Sequence, residues 1–173
     1  MDLQPVSRFI QAHEIIISLA KLALSFLLAF PIAWERERDS RSAGLRTFPL
    51  VAVASCGYML TGINALDALD PQSRVFYGII TGIGFIGGGA ILKFGGSVHG
   101  TATAAGIWIT GAMGCAVAWS EYEIAIALSL IANLTFWMVG GLKRTRFLSR
   151  REESIETIEE HRPPGGDDTP RRD

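Results

Sequence analysis

The stretch TGIGFIGGGAILKFGG, residues 81–96, decides how this chain is read. Gly82, Gly84 and Gly87 stand at G-x-G-x-x-G spacing, the pattern of a dinucleotide-binding turn. That turn needs a strand before it, a helix after it and an acidic side chain about 20 residues later for the ribose. Here the next acid after the glycines is Glu121, and no strand–helix alternation follows. A phosphate loop of the G-x-x-x-x-G-K-[ST] kind is absent as well. The glycines therefore call for a different physical reason.

The surrounding charge distribution supplies it. Between Asp70 and Glu121 the only formal charges are Arg74 and Lys93. Water would not solvate so long a bare interval in a soluble domain; hydrocarbon would. Five apolar windows stand out, at 15–34, 48–66, 75–94, 103–119 and 124–142. Each has about the length a helix needs to cross roughly 30 Å of hydrocarbon. The sequence thus predicts an all-α integral membrane bundle of five transmembrane helices. An N-terminal segment (1–14) precedes the bundle, and a basic, then Pro/Gly-rich, disordered cytoplasmic tail (143–173) follows it. The start of the chain lacks the basic region of a cleavable signal peptide. A net charge of −1 gives no footprint for nucleic acid. Cys56 and Cys115 fall in different windows without a C-x-x-C partner and read as small packing residues.

Basic residues set the expected orientation. With five crossings, Arg36, Arg38, Arg41, Arg46, Lys93 and the run from Lys143 to Arg151 share one side, ten Lys/Arg in all, against Arg8 and Arg74 on the other. This predicts an outer N-terminus and a cytoplasmic C-terminus. Lys21 lies inside the first window; either it snorkels outward or the span begins later.

Within lipid, small residues four apart let helix backbones approach. Gly78 and Gly82 have that spacing, and so do Gly84 and Gly88. At about 100° per residue, Gly78, Gly82 and Gly89 share one face and Gly84, Gly87 and Gly88 the opposite one. The expectation is a central third helix gripped from both sides, its close packing offsetting roughly 5–6 kcal/mol of lost helix propensity. A broken helix at Gly87–Gly89, with carbonyls open to an ion, is the rival.

Three stretches carry a family resemblance: AWERERDSRSAGLRT (33–47), GIITGIGFIGGGAIL (78–92) and GTATAAGIWITGAMG (100–114). In order and spacing they resemble the signature stretches of the MgtC/SapB family. The resemblance implies a bacterial inner-membrane protein tied to magnesium homeostasis, growth at low magnesium and, in some pathogens, virulence. It implies regulation of other membrane proteins, ATP synthase among them, rather than transport. Pro31 stands where small residues are usual, and Gly88–Gly89 give GGG where GAG is commoner. Many members carry a folded cytoplasmic domain after the spans, where this chain has about thirty residues.

The expected topology gathers Glu35, Arg36, Arg46, Thr47, Lys93, Thr101 and Thr103 at the cytoplasmic ends of the spans. Glu35 and Arg46 suit an ion pair at the membrane edge. Two readings stand open: a working site, or helix caps and topology anchors, with Thr101 or Thr103 capping the fourth helix. His99, in the same loop, reads as a solvated side chain rather than a ligand. Asp67, Asp70 and Arg74 share an outer loop and read as solvated charges. Thr81, Thr110, Asn133 and Thr135 are expected to bond between helices.

These patterns exclude several functions. Mg²⁺ favours carboxylate oxygens and sheds water reluctantly, yet no carboxylate stands mid-span, so a dehydrated metal site is not expected. Neither an ATPase motif nor a nucleophile–base pair appears, so no enzyme activity, cofactor or metal site is predicted. The leading reading is a regulatory membrane protein acting by helix contacts, with the lipid bilayer, membrane-protein partners or copies of itself around it. The alternative is a channel or transporter subunit for Mg²⁺ or another small ion.

Overall fold

The computed structural model describes residues 4–39, 43–66 and 68–138. Arg41, Asp67 and the stretch 139–173, which includes the end of the fifth window and the whole tail, lie outside the described residues. The chain divides into two compact units, 1–137 and 138–173, and only Met138 of the second is described.

The described residues form five helices: α1 (Gln4–Asp39), α2 (Thr47–Ala65), α3 (Leu69–Gly89), α4 (Thr101–Ala118) and α5 (Tyr122–Met138). Three of them, within α1, α2 and α4, are long and apolar enough to cross a membrane; α5 is a shorter apolar helix. Large apolar side chains such as Leu27, Leu50, Phe85, Leu130 and Trp137 point outward, the surface expected of a bundle solvated by lipid. The helix α1 runs unbroken through Pro31 and carries Glu35 and Arg36 inside it rather than beyond its end.

The architecture departs from the expected one at its centre. The most enclosed helix is α4, not α3. Eleven of its eighteen residues are buried, and it packs against α1, α2 and α3. Its glycines make the close approaches. A Cβ at Gly114 would collide with the Ala52 carbonyl of α2, and one at Gly111 with the Ile83 side chain of α3. At Gly106 it would press on the rings of Phe48 and Phe136, 2.8 and 3.0 Å away.

By contrast, Gly78, Gly82, Gly84, Gly88 and Gly89 of α3 have nothing within 4 Å of where a Cβ would stand. Gly87 alone among them meets a neighbour, the Ala104 carbonyl oxygen at 3.3 Å. Only Ile83 and Gly87 of α3 are buried. The expectation of a central, doubly gripped third helix is thereby corrected. Glycine spacing permits close packing, but the neighbours' side chains decide where it happens. The α4 glycines admit both the small Ala52 of α2 and the large Phe48, Phe136 and Ile83 side chains, whereas of α3 only Ile83 and Gly87 are buried.

The third helix also ends earlier than the predicted 94, and the bundle is not purely helical. Three consecutive glycines lower helix propensity by about 1 kcal/mol each relative to alanine. The last turn tightens, with the Ala90 N–H on the Gly87 carbonyl and the Ile91 N–H on the Gly88 carbonyl, both at 3.1 Å. The chain then forms an antiparallel hairpin of β1 (Leu92–Phe94) and β2 (Ser97–His99). Gly95 and Gly96, with φ of 55° and 84°, make the two-residue turn that side-chain-bearing residues resist. Gly100 at φ 86° then opens α4, and a Cβ there would strike the Ala90 carbonyl.

Candidate functional site

The end of the bundle where α1, α2, α4 and α5 converge holds the polar core of the molecule. On α1 the buried stripe Ser25, Ala29, Ile32 and Ala33 continues into Arg36, which is 8% exposed. The Arg36 Nη2 donates to Thr103 Oγ1 of α4 at 2.7 Å. Its guanidinium also lies 5.0 Å from the centroid of the Phe136 ring of α5, within cation–π range. Phe48, from the first turn of α2, is fully buried, and Gly106 leaves room for it beside Phe136. One guanidinium therefore ties α1 to α4 and α5. A charge this shielded from water needs such partners, because desolvation would otherwise outweigh its attraction. Thr103 spends its hydroxyl oxygen on Arg36 instead of capping α4, and no side chain caps that helix.

The neighbouring α1–α2 connection is held by Glu37, whose Oε2 accepts the Leu45 N–H at 3.0 Å. A Cβ at Gly44 would meet that same carboxylate. Glu35 is half-buried and Arg46 exposed, and no ion pair joins them among the described residues. Thr47, half-buried, begins α2. Thr101 is exposed at the start of α4. Lys93 sits exposed on β1 opposite Val98, and His99 is exposed on β2. The structure thus brings together Arg36 and Thr103 of the sequence-derived set and leaves the others apart. It adds Glu37, Phe48 and Phe136, which sequence reasoning passed over.

A second polar contact lies at the other end of α4. Lys21 lies within α1, and its Nζ donates to the Ala118 carbonyl at the end of α4 at 2.8 Å. A cation there satisfies an orphan carbonyl and faces the negative end of the helix dipole. Lys21 and Arg36 are fifteen residues apart on α1, and their acceptors on α4 are also fifteen apart. The two contacts therefore pin the antiparallel register of α1 on α4 over about 22 Å.

The hydroxyls expected to bridge helices mostly do not. Thr81, Thr110 and Thr135 donate to the carbonyls of Tyr77, Gly106 and Ile131 in their own helices, and Asn133 donates to Ser129 in its own. The interhelical bond comes from Ser129, whose Oγ donates to Leu28 O of α1 at 2.8 Å. Asp70 and Arg74, expected in a loop, lie instead in the first turns of α3, where they bind each other at 3.2 Å one helical turn apart, both largely exposed. No group of three or more His, Cys, Asp or Glu able to hold a metal occurs among the described residues.

A groove of 670 Å³ runs along the outside of the bundle between α2 and α3. Apolar side chains line most of it, and Arg46 and Thr47 close one end.

A family model described as the MgtC family matches residues 22–145. The chain belongs to the MgtC family. The matched region holds Arg36, Glu37, Phe48, Thr103 and Phe136, so the polar core just described lies wholly inside it. The chain is 32% identical to Protein SrpB of Synechococcus elongatus over 80% of its own length and 81% of that protein. It is 35% identical to the putative magnesium transporter YhiD of Escherichia coli K12, over 67% of this chain and 57% of YhiD. It is 33% identical to Protein MgtC of Salmonella typhimurium, over 65% of this chain and 48% of that protein. The MgtC-family region thus accounts for about half the length of the last two relatives. No solved structure matches.

Proposed function

We propose that this MgtC-family protein sits in the bacterial inner membrane, N-terminus outside and C-terminus in the cytoplasm. There it serves magnesium homeostasis or adaptation to low magnesium, without enzyme activity, by contacts with other membrane proteins. ATP synthase or a transporter is the kind of partner meant. The packing of α4 supports the regulatory reading. Its glycines are closed against Ala52, Ile83, Phe48 and Phe136, so the middle of the bundle is filled by its own side chains. A free surface of small residues lies on α3, where Phe85 is 85% exposed between the open Gly84 and Gly88. That surface suits another hydrophobic helix, from a partner or from a second copy of the chain.

The second reading, a channel or transporter subunit, draws support from the name given to YhiD. One pair of experiments separates the two. Purified protein in liposomes is tested for Mg²⁺ flux, and membranes from cells grown at low magnesium are tested for co-purifying proteins. The regulatory reading expects no flux and an enriched membrane partner. Flux that Glu35→Ala removes would establish the second reading instead.

A further inference from the structure

We infer that the α2–α3 groove binds one anionic phospholipid, with an acyl chain along the groove and the headgroup phosphate at Arg46. The groove extends from Thr47 to Tyr58 on α2 and from Val75 to Ile86 on α3. Both stretches advance eleven residues, about 16 Å of helix. That is one leaflet's share of a hydrocarbon core roughly 30 Å thick. A cleft of that length, lined mostly by apolar side chains, fits a single hydrocarbon chain.

Its floor is smooth because Gly78 and Gly82 carry no side chain into it and Ala54 and Ser55 very little. Charge then selects the occupant. Arg46 is exposed at the rim and makes no ion pair with any described residue. A guanidinium at the end of an apolar channel complements a phosphate joined to a chain. A zwitterionic lipid offers the same phosphate but adds an ammonium that Arg46 repels. The inference does not rest on the regulatory reading, because lipid selection is measured without any partner or flux.

The test is native mass spectrometry of the full chain released from bilayers of equal phosphatidylglycerol and phosphatidylethanolamine. One retained lipid per chain is expected, enriched in phosphatidylglycerol. Arg46→Ala lowers that enrichment roughly fivefold, the equivalent of about 1 kcal/mol for a basic residue at an anionic surface. Arg46→Lys, which keeps the charge, restores most of it. Filling the groove with Gly82→Leu removes the retained lipid while the thermal midpoint in detergent is unchanged or raised. Equal retention of the two lipids by the unaltered chain would overturn the inference, and so would enrichment that survives both Arg46→Ala and Gly82→Leu. A groove occupied by a second copy would overturn it too, seen as disulfide-linked dimers of Gly78→Cys.

Discussion

Two helices of this bundle carry clustered glycines, and they use them in opposite ways. On α4, Gly106, Gly111 and Gly114 stand where α2, α3 and α5 press closest. On α3, five of six glycines between 78 and 89 face open space. The cost to helix propensity is of the same kind in both, about 1 kcal/mol per glycine against alanine. On α4 all three recover it through contact within the chain; on α3 only Gly87 does. A glycine-rich helix in lipid is therefore not identified as the centre of a bundle by its glycines. What makes α4 central is that its glycines receive neighbours on several sides, the Phe48, Phe136 and Ile83 side chains at Gly106 and Gly111 and the α2 backbone at Gly114.

The comparison can be broken most severely with bulk. Gly114→Leu and Gly111→Leu are expected to prevent stable accumulation in the membrane, since overpacking a closed interface costs about 1–3 kcal/mol or more and the Ala52 carbonyl is backbone that cannot rotate away. Gly84→Leu on α3 is expected to accumulate normally. Quantitative immunoblotting of membrane fractions checks both; equal loss in the two helices would dissolve the contrast.

Next in size is the polar contact that anchors α4. Arg36→Met and Thr103→Val should each lower stability by about 1.5–3 kcal/mol, as expected for a buried hydrogen bond to a charged group. Their effects should be strongly non-additive in a double-mutant cycle read by thermal unfolding in detergent. Additive losses would mean that the 2.7 Å contact contributes nothing of its own. At the other end of the helix, Lys21→Met should cost less, about 0.3–1 kcal/mol, because the bond it removes from the helix C-terminus is only part-buried and water can take its place. A loss equal to that of Arg36→Met would show that the register depends on both ends alike.

An effect of comparable small size has the opposite sign. α4 ends with Ser120 at φ 65°, with the Glu121 N–H on the Ala116 carbonyl and the Ser120 N–H on the Val117 carbonyl. This left-handed C-terminal position favours glycine. Ser120→Gly should therefore raise the midpoint by the equivalent of about 0.5–1 kcal/mol, and a lowered midpoint would contradict the assignment of that turn.

Much of this is legible in the amino-acid sequence. The bare interval from Asp70 to Glu121 marks a membrane bundle, and the three quoted stretches mark the family. The burial of Arg36 was legible in principle too. Ser25, Ala29, Ile32 and Arg36 follow the four–three–four spacing of one helix face, whereas Arg38 falls off it and is exposed. Counting basic residues for orientation treats the two alike, and so misses the difference. The hairpin had its own signal in the Gly95–Gly96 pair between apolar residues, hidden because the apolar run was read as continuing the helix. Two features had no sequence signal. Lys21 finds its acceptor on Ala118, ninety-seven residues away, and the open side of α3 depends on where α2 and α4 end up, which periodicity within α3 does not contain.

The sign of a single methyl group tests the contrast between the two helices most directly. Gly114→Ala and Gly84→Ala add the same atom and the same gain in helix propensity, one against the Ala52 carbonyl and the other into open space. Thermal unfolding of both variants in the same detergent should give a lowered midpoint for Gly114→Ala and a midpoint unchanged or raised, by the equivalent of up to about 1 kcal/mol, for Gly84→Ala. A neutral Gly114→Ala, or a Gly84→Ala that loses as much as its counterpart, would contradict a bundle closed around α4 and open at α3.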